Sequence, residues 1–307
     1  MYKINENILV TGAGGFIGLH LSEQLVKNGH TVFGLAHSKI DKNLKNLSDD
    51  KSFHLIKGDV CDFDFINKTL KENKIKTIFH LAALLPGVAD LDNPFPVFNV
   101  NTNGTLNLLS AAYKNNVERF IYASTMSVYT EMPENLPVTE NQPTVPSTIY
   151  GISKLTGELL CGAYSGKMGI TILRYGGAYG KNQHETNAVY RFIAQALKNE
   201  PITIYGSGKQ STDFVYIDDV VNGSILAAEN NIQVIYNIGS GEETSIKELA
   251  EKIIKITESK SKIIFVDKET DRPFRFFLDV KKAKEKLGYS PLSLEKGLTK
   301  YISIFNK

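Results

Sequence analysis

The chain has 307 residues, with 35 Lys+Arg against 33 Asp+Glu and a formal net charge of +2. This length allows a sizeable core in one large domain or two modest ones. The balanced charge, with scattered lysines and no basic block, argues against a dedicated nucleic-acid or membrane-surface protein.

The two cysteines, Cys61 and Cys161, are far apart in the chain and have no ligand cluster beside them. We therefore expect neither a disulfide framework nor a metal site, and we favour a reducing compartment. The first residues have no signal-peptide pattern, and no apolar stretch approaches the length of a membrane span. The expected location is the cytoplasm.

A glycine-rich run, Thr11-Gly-Ala-Gly-Gly-Phe-Ile-Gly18, follows a short apolar run and precedes an amphipathic helical pattern. This is the strand, glycine turn and helix of a dinucleotide site. Gly12 would allow the tight turn, Gly15 a close approach to a pyrophosphate, and Gly18 close packing of helix on strand. The glycines are not in the commonest spacing, so an ordinary glycine turn is the alternative.

Strand-like and helical patterns alternate in the first half of the chain, which predicts a parallel, doubly wound, Rossmann-like α/β sheet with a ligand at its carboxyl edge. The looser pattern after Arg174 predicts a smaller C-terminal α/β substrate domain. The dinucleotide-binding domain is expected at 1–175 with 211–230 returning to it, and the substrate domain at 176–210 and 231–307. Predicted strands are 8–10, 31–35, 53–57, 77–81 and 119–123, and predicted helices are 19–27, 63–73, 105–115 and 150–164.

The run Tyr150-Gly-Ile-Ser-Lys154 would place a phenol and an ammonium one turn apart on the same face of a helix. A phenol ordinarily titrates near pH ~10, and a neighbouring ammonium favours the phenolate and lowers its pKa. Such a tyrosine can exchange a proton with a hydroxyl group. Because many helices contain this spacing without a catalytic role, the hypothesis depends on the motifs around it.

Taken in order, the motifs resemble those of the extended short-chain dehydrogenase/reductase family, specifically its sugar-nucleotide epimerases, dehydratases and reductases. The resemblance covers nearly the whole chain. Each motif is weak alone, and their joint order is specific. They are the glycine-rich run, Gly58-Asp-Val60, His80-Leu-Ala-Ala83, Asn101-Thr-Asn-Gly-Thr105, Ser124-Thr125 before Val128-Tyr129, Tyr150-Gly-Ile-Ser-Lys154, Leu173-Arg-Tyr175, Asp213-Phe-Val-Tyr-Ile-Asp-Asp219 and Asn237-Ile-Gly-Ser-Gly241.

The resemblance implies three catalytic residues: Tyr150 as acid/base, Lys154 on the nicotinamide ribose, and Thr125 on the reacting sugar oxygen. Ordinary structural roles stay open for Asn101, Ser124 and Tyr205, and His80 fits a packed strand residue better than a catalyst. The implied cofactor contacts are Gly12, Gly15, Phe16, Ile17, Gly18, His37, Ser38, Lys39, Asp59, Val60, Leu81, Ala82, Ala83, Asn101, Ser124, Tyr150 and Lys154. The implied substrate contacts are Thr125, Asn187, Tyr205 and Arg272.

The second strand departs from the pattern of NAD-preferring members, in which an acid at its end binds the ribose 2′-hydroxyl. Here no carboxylate stands at that place, and His37, Ser38 and Lys39 follow as potential donors to a phosphate. We therefore expect NADP(H), with NAD(H) possible.

Other departures bear on the substrate. Met126-Ser127 stand where dehydratases of the family carry Asp-Glu, so we do not expect elimination of water. Gly177 and Thr212 replace an asparagine and an arginine near the diphosphate, which weakens the prediction of a typical UDP-sugar site.

The leading hypothesis is an NADP(H)-dependent oxidoreductase that reduces a keto group, at C4, of a nucleotide-activated deoxysugar. The close alternative is a sugar-nucleotide 4-epimerase, which uses the same residues but keeps its cofactor through turnover. A reductase of a non-sugar carbonyl and an idle NADP-binding regulator are further alternatives. Relatives also imply a homodimer paired through the helices at 105–115 and 150–164.

Overall fold

The computed structural model describes residues 7–37, 40–85, 93–230, 234–267 and 274–305. Contacts divide the chain into two compact units. The first contains residues 1–130, 143–174 and 221–236, and the second contains 131–142, 175–220 and 237–307. No helix in the described ranges is long and apolar enough to cross a membrane.

Strands and helices alternate through the first unit and become shorter in the second. The strands are β1 (Ile8–Thr11), β2 (Val32–Ala36), β3 (Phe53–Lys57), β4 (Thr77–His80), β5 (Arg119–Thr125), β6 (Gly169–Tyr175), β7 (Gly177–Tyr179), β8 (Ile202–Tyr205), β9 (Ser211–Thr212), β10 (Phe214–Tyr216), β11 (Val234–Ile238), β12 (Thr244–Ser245) and β13 (Ile263–Val266). The helices are α1 (Phe16–Lys27), α2 (Lys42–Leu47), α3 (Phe63–Glu72), α4 (Phe95–Phe98), α5 (Gly104–Lys114), α6 (Ile149–Ala163), α7 (Ala188–Leu197), α8 (Ile217–Asn230), α9 (Ile246–Thr257), α10 (Lys281–Leu287) and α11 (Leu294–Ile304).

The first unit is built on a seven-stranded sheet in the order β11-β6-β5-β4-β1-β2-β3. Strand β1 pairs in parallel with both β2 and β4, so the winding reverses direction between β1 and β4. In open α/β sheets a ligand binds at the carboxyl ends of the strands beside such a reversal. The predicted Rossmann-like α/β fold is confirmed.

Burial explains why the central strands are mostly apolar. Every residue of β1, β2 and β4 is buried, as expected for parallel strands covered on both faces. On one face the core includes Leu9, Ile78 and Phe120 from the strands, with Leu70 and Leu108 from α3 and α5. The period-2 and period-3.6 patterns of the sequence therefore correspond to one continuous core.

The second unit contains three two-stranded sheets, pairing β7 with β10, β8 with β13, and β9 with β12. Residues 131–142 belong to this unit, because Val138 bridges to Leu278 and its N–H donates to the Phe277 carbonyl at 2.8 Å. Residues 211–220 also lie here. From the sequence, both segments were expected in the first domain. Pairing between segments far apart in the chain leaves no local sequence pattern from which it could be predicted.

A buried carboxylate, Asp213, connects three segments of the second unit. Its two oxygens accept from the Ser240 N–H at 2.6 Å, the Ser240 hydroxyl at 2.8 Å, the Gly241 N–H at 3.1 Å and the Leu278 N–H at 3.2 Å. The side chain is fully buried, so these groups have no water to replace the carboxylate. Asp213 therefore holds together the start of β10, the turn after β11 and the strand-like segment at Leu278.

We expect Asp213→Asn to lower the free energy of unfolding by roughly 2–4 kcal/mol, because an amide presents its NH2 group to backbone donors and leaves buried groups unpaired. Urea unfolding followed by circular dichroism measures this. The matched control is Asp218→Asn, whose exposed ion pair with Lys300 should contribute less than about 1 kcal/mol. Equal losses in the two variants would contradict the assignment.

Candidate active site

The glycine-rich run forms the turn from β1 into α1. Gly12 has φ +71°, and a Cβ atom on it would lie 2.8 Å from the Ala82 nitrogen. A Cβ on Gly18 would clash with the Gly12 carbonyl oxygen. Gly15 is the N-cap of α1 and no side chain caps that helix, so the N–H groups of its first turn have no side-chain acceptor at the cap. Such a cradle fits a dinucleotide diphosphate.

His80, the last residue of β4, connects the end of β1 to α5. Its Nδ1 lies 2.8 Å from Thr11 Oγ1 and its Nε2 lies 2.9 Å from Thr105 Oγ1. Thr105 Oγ1 donates to the Asn101 carbonyl, so it accepts from Nε2–H, and Nδ1 accepts from Thr11. Burial, followed by the positive charge of Lys154, lowers the pKa of His80 well below its usual value. The ring is therefore a neutral cross-link at neutral pH.

The candidate catalytic residues lie at the carboxyl end of β5 and in the first turns of α6. The Thr148 hydroxyl begins α6 by accepting from the Gly151 N–H at 3.0 Å. Thr125, the last residue of β5, caps the following 3-10 turn by accepting from the Ser127 N–H at 3.2 Å. The Thr125 side chain also interacts with the Tyr150 phenol, because it lowers the pKa of that phenol. The structure thus brings together a hydroxyl and a phenol 25 residues apart in the sequence.

The pKa of Tyr150 differs from the sequence-based expectation. Burial raises the pKa to about 12, and the interaction with the Thr125 side chain opposes this rise. From the sequence, Lys154 was expected to lower the pKa of Tyr150. That expectation is wrong, because desolvation of the phenolate is the larger effect. The Lys154 Nζ lies instead over the ring of Tyr122, 4.2 Å from its centroid.

Lys154 is a buried ammonium with only 2% of its surface exposed. Burial lowers its pKa from 10.5 to about 7, against opposing effects of Cys161 and Glu158. The Tyr122 ring stabilises the cation, and the Tyr122 hydroxyl donates to the Lys154 carbonyl at 3.2 Å. The side chain therefore lies close to the midpoint of its own titration at neutral pH.

Asn101 joins the loop after β4 to α6. It lies in a π-helical turn, Asn99–Asn103, and its Oδ1 accepts from the Leu84 N–H at 2.8 Å. Its Nδ2 donates to the Leu84 carbonyl and, at 3.0 Å, to Ser153 Oγ, which in turn donates to the Tyr150 carbonyl. The carboxamide therefore has a bridging role rather than that of an ordinary turn residue.

Three residues that sequence reasoning did not propose complete this region. Ser153 is the bridge just described, and Glu158 and Arg174 form a buried ion pair at 2.6 Å. Ser124, a proposed cofactor contact, donates to Glu158 Oε1 at 2.5 Å. The sequence contained one signal that could have identified Glu158. This glutamate lies four residues after Lys154, on the face of α6 that is otherwise buried.

The adenosine end of the proposed cofactor site lies after β2 and β3. Ala36, the last residue of β2, is buried, and His37 Nε2 lies 3.8 Å from Asp59 Oδ2. The other Asp59 oxygen, Oδ1, accepts from the Cys61 N–H at 2.9 Å. Val60 is buried against Gly104. Ser38 and Lys39 lie outside the described residues.

The family model described as "NAD dependent epimerase/dehydratase family" matches residues 8–239. The chain belongs to this family. It is 40% identical over 311 residues to the uncharacterized UDP-glucose epimerase YtcB of Bacillus subtilis (strain 168), covering 96% of each chain. It is 34% identical to UDP-glucuronic acid decarboxylase 1 of Danio rerio, covering 99% of this chain and 74% of that protein.

A solved structure of the same family has a closely similar fold. The UDP-glucuronic acid 4-epimerase of Bacillus cereus, in complex with UDP-glucuronic acid and NAD, superposes with a TM-score of 0.84 at 36% identity. The match covers 97% of this chain and 99% of that one. The predicted membership of the sugar-nucleotide epimerase, dehydratase and reductase group is confirmed.

The expected preference for NADP(H) has no support in these comparisons, since the family is NAD dependent and the B. cereus structure contains NAD. The geometry at β2 gives a physical reason. His37 was a proposed donor to a 2′-phosphate, yet it faces the Asp59 carboxylate, which would repel that phosphate.

Two of the proposed substrate residues, Asn187 and Tyr205, belong to the second unit of this epimerase/dehydratase family member. Asn187 begins α7, where its Oδ1 accepts from the Val189 N–H at 2.9 Å. Tyr205 ends β8, is 52% exposed, and has the Arg191 guanidinium 5.7 Å from its ring centroid. Arg272 lies outside the described residues. Gly177 in β7 has a structural explanation, because a Cβ there would lie 2.8 Å from the Asp213 carbonyl oxygen.

We expect Lys154→Met to raise the free energy of unfolding at pH 6 by on the order of 2–4 kcal/mol. In the folded state Lys154 releases its proton near pH 7, whereas the unfolded chain keeps it until about pH 10.5. The buried ammonium therefore costs its full penalty below pH 7, and the penalty shrinks as pH rises toward 10.5. The gain should accordingly be smaller at pH 9 than at pH 6.

Chemical denaturation of both proteins at each pH measures this difference. The control is Lys71→Met, which changes an exposed lysine of α3 and should alter stability by less than about 0.5 kcal/mol at either pH. A Lys154→Met protein no more stable than the parent at pH 6 would show that the ammonium carries no such penalty.

Proposed function

We propose that this protein is an NAD-dependent sugar-nucleotide 4-epimerase acting on a UDP-hexose or UDP-hexuronate. The observation that carries the proposal is the Thr125 hydroxyl beside the Tyr150 phenol at the carboxyl end of β5, with Lys154 one helical turn from Tyr150. Two groups that can share the proton of one alcohol are what reversible oxidation of a sugar hydroxyl needs. The names of the relatives supply the substrate class.

The cradle after β1 fits the cofactor. In this proposal the N–H groups at the start of α1 bind the diphosphate, Asp59 and Val60 contact the adenine, and Lys154 contacts the nicotinamide ribose. Asn101 holds the loop that contains Leu81, Ala82 and Ala83, the remaining proposed contacts. When bound, the nicotinamide takes up a hydride from the sugar carbon and returns it.

The protein's own residues handle the proton. Thr125 accepts or donates a hydrogen bond at the 4-oxygen and orients it toward Tyr150. Tyr150 takes the hydroxyl proton as a phenolate and gives it back as a phenol.

The second unit is the proposed holder of the nucleotide. Tyr205 presents an exposed ring on which a base could stack, Asn187 lies at the start of α7, and Arg272 would pair with the diphosphate. Binding through the nucleotide alone would leave the 4-ketone free to turn its other face to the nicotinamide. That rotation distinguishes an epimerase from a reductase.

A decarboxylase is the second candidate, favoured by the similarity to the Danio rerio protein. Oxidation at C4 of a UDP-hexuronate creates a β-keto acid, which loses CO2 readily. The same Thr125, Tyr150 and Lys154 would serve both reactions, so the fate of the carboxylate separates them. Elimination of water is not proposed, since Met126-Ser127 follow Thr125.

The test is to incubate the purified protein with UDP-glucose, UDP-glucuronic acid or UDP-N-acetylglucosamine and to analyse the products by anion-exchange chromatography and NMR. We expect the 4-epimer of one substrate, with NAD retained through turnover and no net consumption of NADPH. Release of CO2 would favour the decarboxylase. Stoichiometric NADPH consumption would contradict both.

Tyr150→Phe should lower kcat at least about a hundredfold, because it removes the proton carrier. The matched control is Tyr164→Phe, at the end of the same helix, which should retain parental activity. Circular dichroism and NAD content of each variant show whether folding and cofactor binding are kept. A Tyr150→Phe enzyme within a few-fold of the parent would exclude the assigned role.

We also propose that the protein is a homodimer paired through α5 and α6. Both helices leave large apolar side chains exposed: Leu106 and Tyr113 on α5, and Ile152 and Leu159 on α6. These two helices contact each other in the first unit, so the four side chains contribute to one apolar face. A second copy of the same face would cover it in a two-fold arrangement.

A Leu106→Glu/Leu159→Glu variant should therefore have half the parental mass in light scattering coupled to size-exclusion chromatography, because a buried pair of carboxylates opposes the interface. The control is Phe265→Glu on β13, an equally exposed apolar residue elsewhere, which should keep the parental mass. An unchanged mass in the double variant would place the interface on another face.

A further inference from the structure

We propose that Glu158 is a positioning residue that holds the strand end carrying Thr125 and supplies the negative charge that keeps Lys154 protonated. The inference rests on the proposed function, because it assigns a role to buried residues next to the same site. It adds a residue that touches neither substrate nor cofactor. The argument has a geometric part and an electrostatic part.

The Glu158 carboxylate is the centre of a buried polar network. Its Oε1 accepts from Ser124 Oγ at 2.5 Å and from Arg174 Nε at 3.0 Å, and its Oε2 accepts from Arg174 Nη2 at 2.6 Å. Glu158 and Arg174 are 6% and 4% exposed. The bidentate geometry defines the orientation of both side chains.

The same network holds both sides of Thr125. Ser124 immediately precedes Thr125 and is bonded to Glu158. Tyr129 follows the 3-10 turn after Thr125, and its hydroxyl accepts from Arg174 Nη1 at 2.8 Å while its ring lies 4.7 Å from the guanidinium. One ion pair between α6 and β6 therefore fixes the segment from 124 to 129 relative to the helix that carries Tyr150.

The electrostatic part concerns the groups that face Lys154. Tyr122 and His80 face it from β5 and β4, and Tyr150, Glu158 and Cys161 lie on its own helix. Burial raises the pKa of Cys161 and of Tyr150 to about 12 and that of Tyr122 well above its usual value, so these groups are neutral at pH 7. His80 is neutral too.

Among the facing groups in the described parts of the chain, Glu158 is thus the one that carries negative charge at neutral pH. It lies one helical turn from Lys154, on the same face of α6. Since Lys154 titrates near pH 7, a modest change in local charge decides how much of it is protonated. A buried ion pair is often no more stabilising than well-packed apolar residues. This favours an electrostatic role for Glu158 over a purely stabilising one.

The test compares Glu158→Gln, Glu158→Asp and the parent as NAD-loaded proteins. For Glu158→Gln we expect kcat to fall roughly tenfold to a hundredfold. In the same variant we expect kcat to begin to decline with rising pH about one pH unit lower than in the parent, because Lys154 loses its proton at a lower pH. Glu158→Asp keeps the charge and should restore the pH profile. Glu72→Gln, an exposed glutamate on α3, is the matched control and should leave kcat and profile unchanged.

A second readout does not require activity. The Lys154 Nζ signal in a 15N-lysine NMR titration, assigned by its loss in Lys154→Arg, should titrate at lower pH in Glu158→Gln than in the parent. If the parent shows no epimerase activity, the proposed function fails, while this titration still decides the electrostatic part. If Glu158→Gln matches the parent in both kcat profile and Nζ titration, the inference is wrong.

Should Glu158→Gln fail to fold, Glu158→Gln/Arg174→Gln removes both charges and leaves no unpaired buried ion. The same two measurements apply to it. Because this variant also removes the Arg174 charge, its Nζ titration is compared with that of Arg174→Gln, which keeps Glu158. A lower titration pH in the double variant supports the inference, and an equal one overturns it.

Discussion

The buried ammonium of Lys154 is the constraint around which the first unit is organised. A cation removed from water needs compensating groups on every side, and each one here comes from a different element. The ring of Tyr122 lies over it from β5, and Glu158 provides the opposite charge one turn along α6. The helix therefore has to lie against this part of the sheet. The cost of that burial is also what brings the pKa of Lys154 close to neutrality.

Parallel strand topology explains why the remaining site residues meet. The glycine turn follows β1, Ala82 follows β4 and Thr125 ends β5, so all three lie at one edge of the sheet. Buried side chains then connect these strand ends: His80 joins Thr11 to Thr105, and Asn101 joins Leu84 to Ser153. In the proposed function, a site assembled in this way binds a diphosphate and transfers a proton.

One sequence-based expectation was wrong and another found no support, for the same physical reason. Lys154 was expected to lower the pKa of Tyr150, but burial of the phenol outweighs any neighbouring charge. His37 was expected to favour a 2′-phosphate, but a carboxylate from the next strand faces it. In each case the expectation followed from the residue type. The environment of the side chain depends on residues that are distant in the sequence. Local spacing contains no information about desolvation or about which strand lies alongside.

The sequence by itself determined the alternation of strands and helices, the glycine cradle and the order of the motifs, because these depend on periodicity and on residues close together in the chain. Only the tertiary structure decided that Ser124, Glu158 and Arg174 form one buried network, that residues 131–142 join the second unit, and which groups face Lys154. Those contacts join segments separated by tens of residues. Their energies depend on burial and distance, which exist only once the chain has folded.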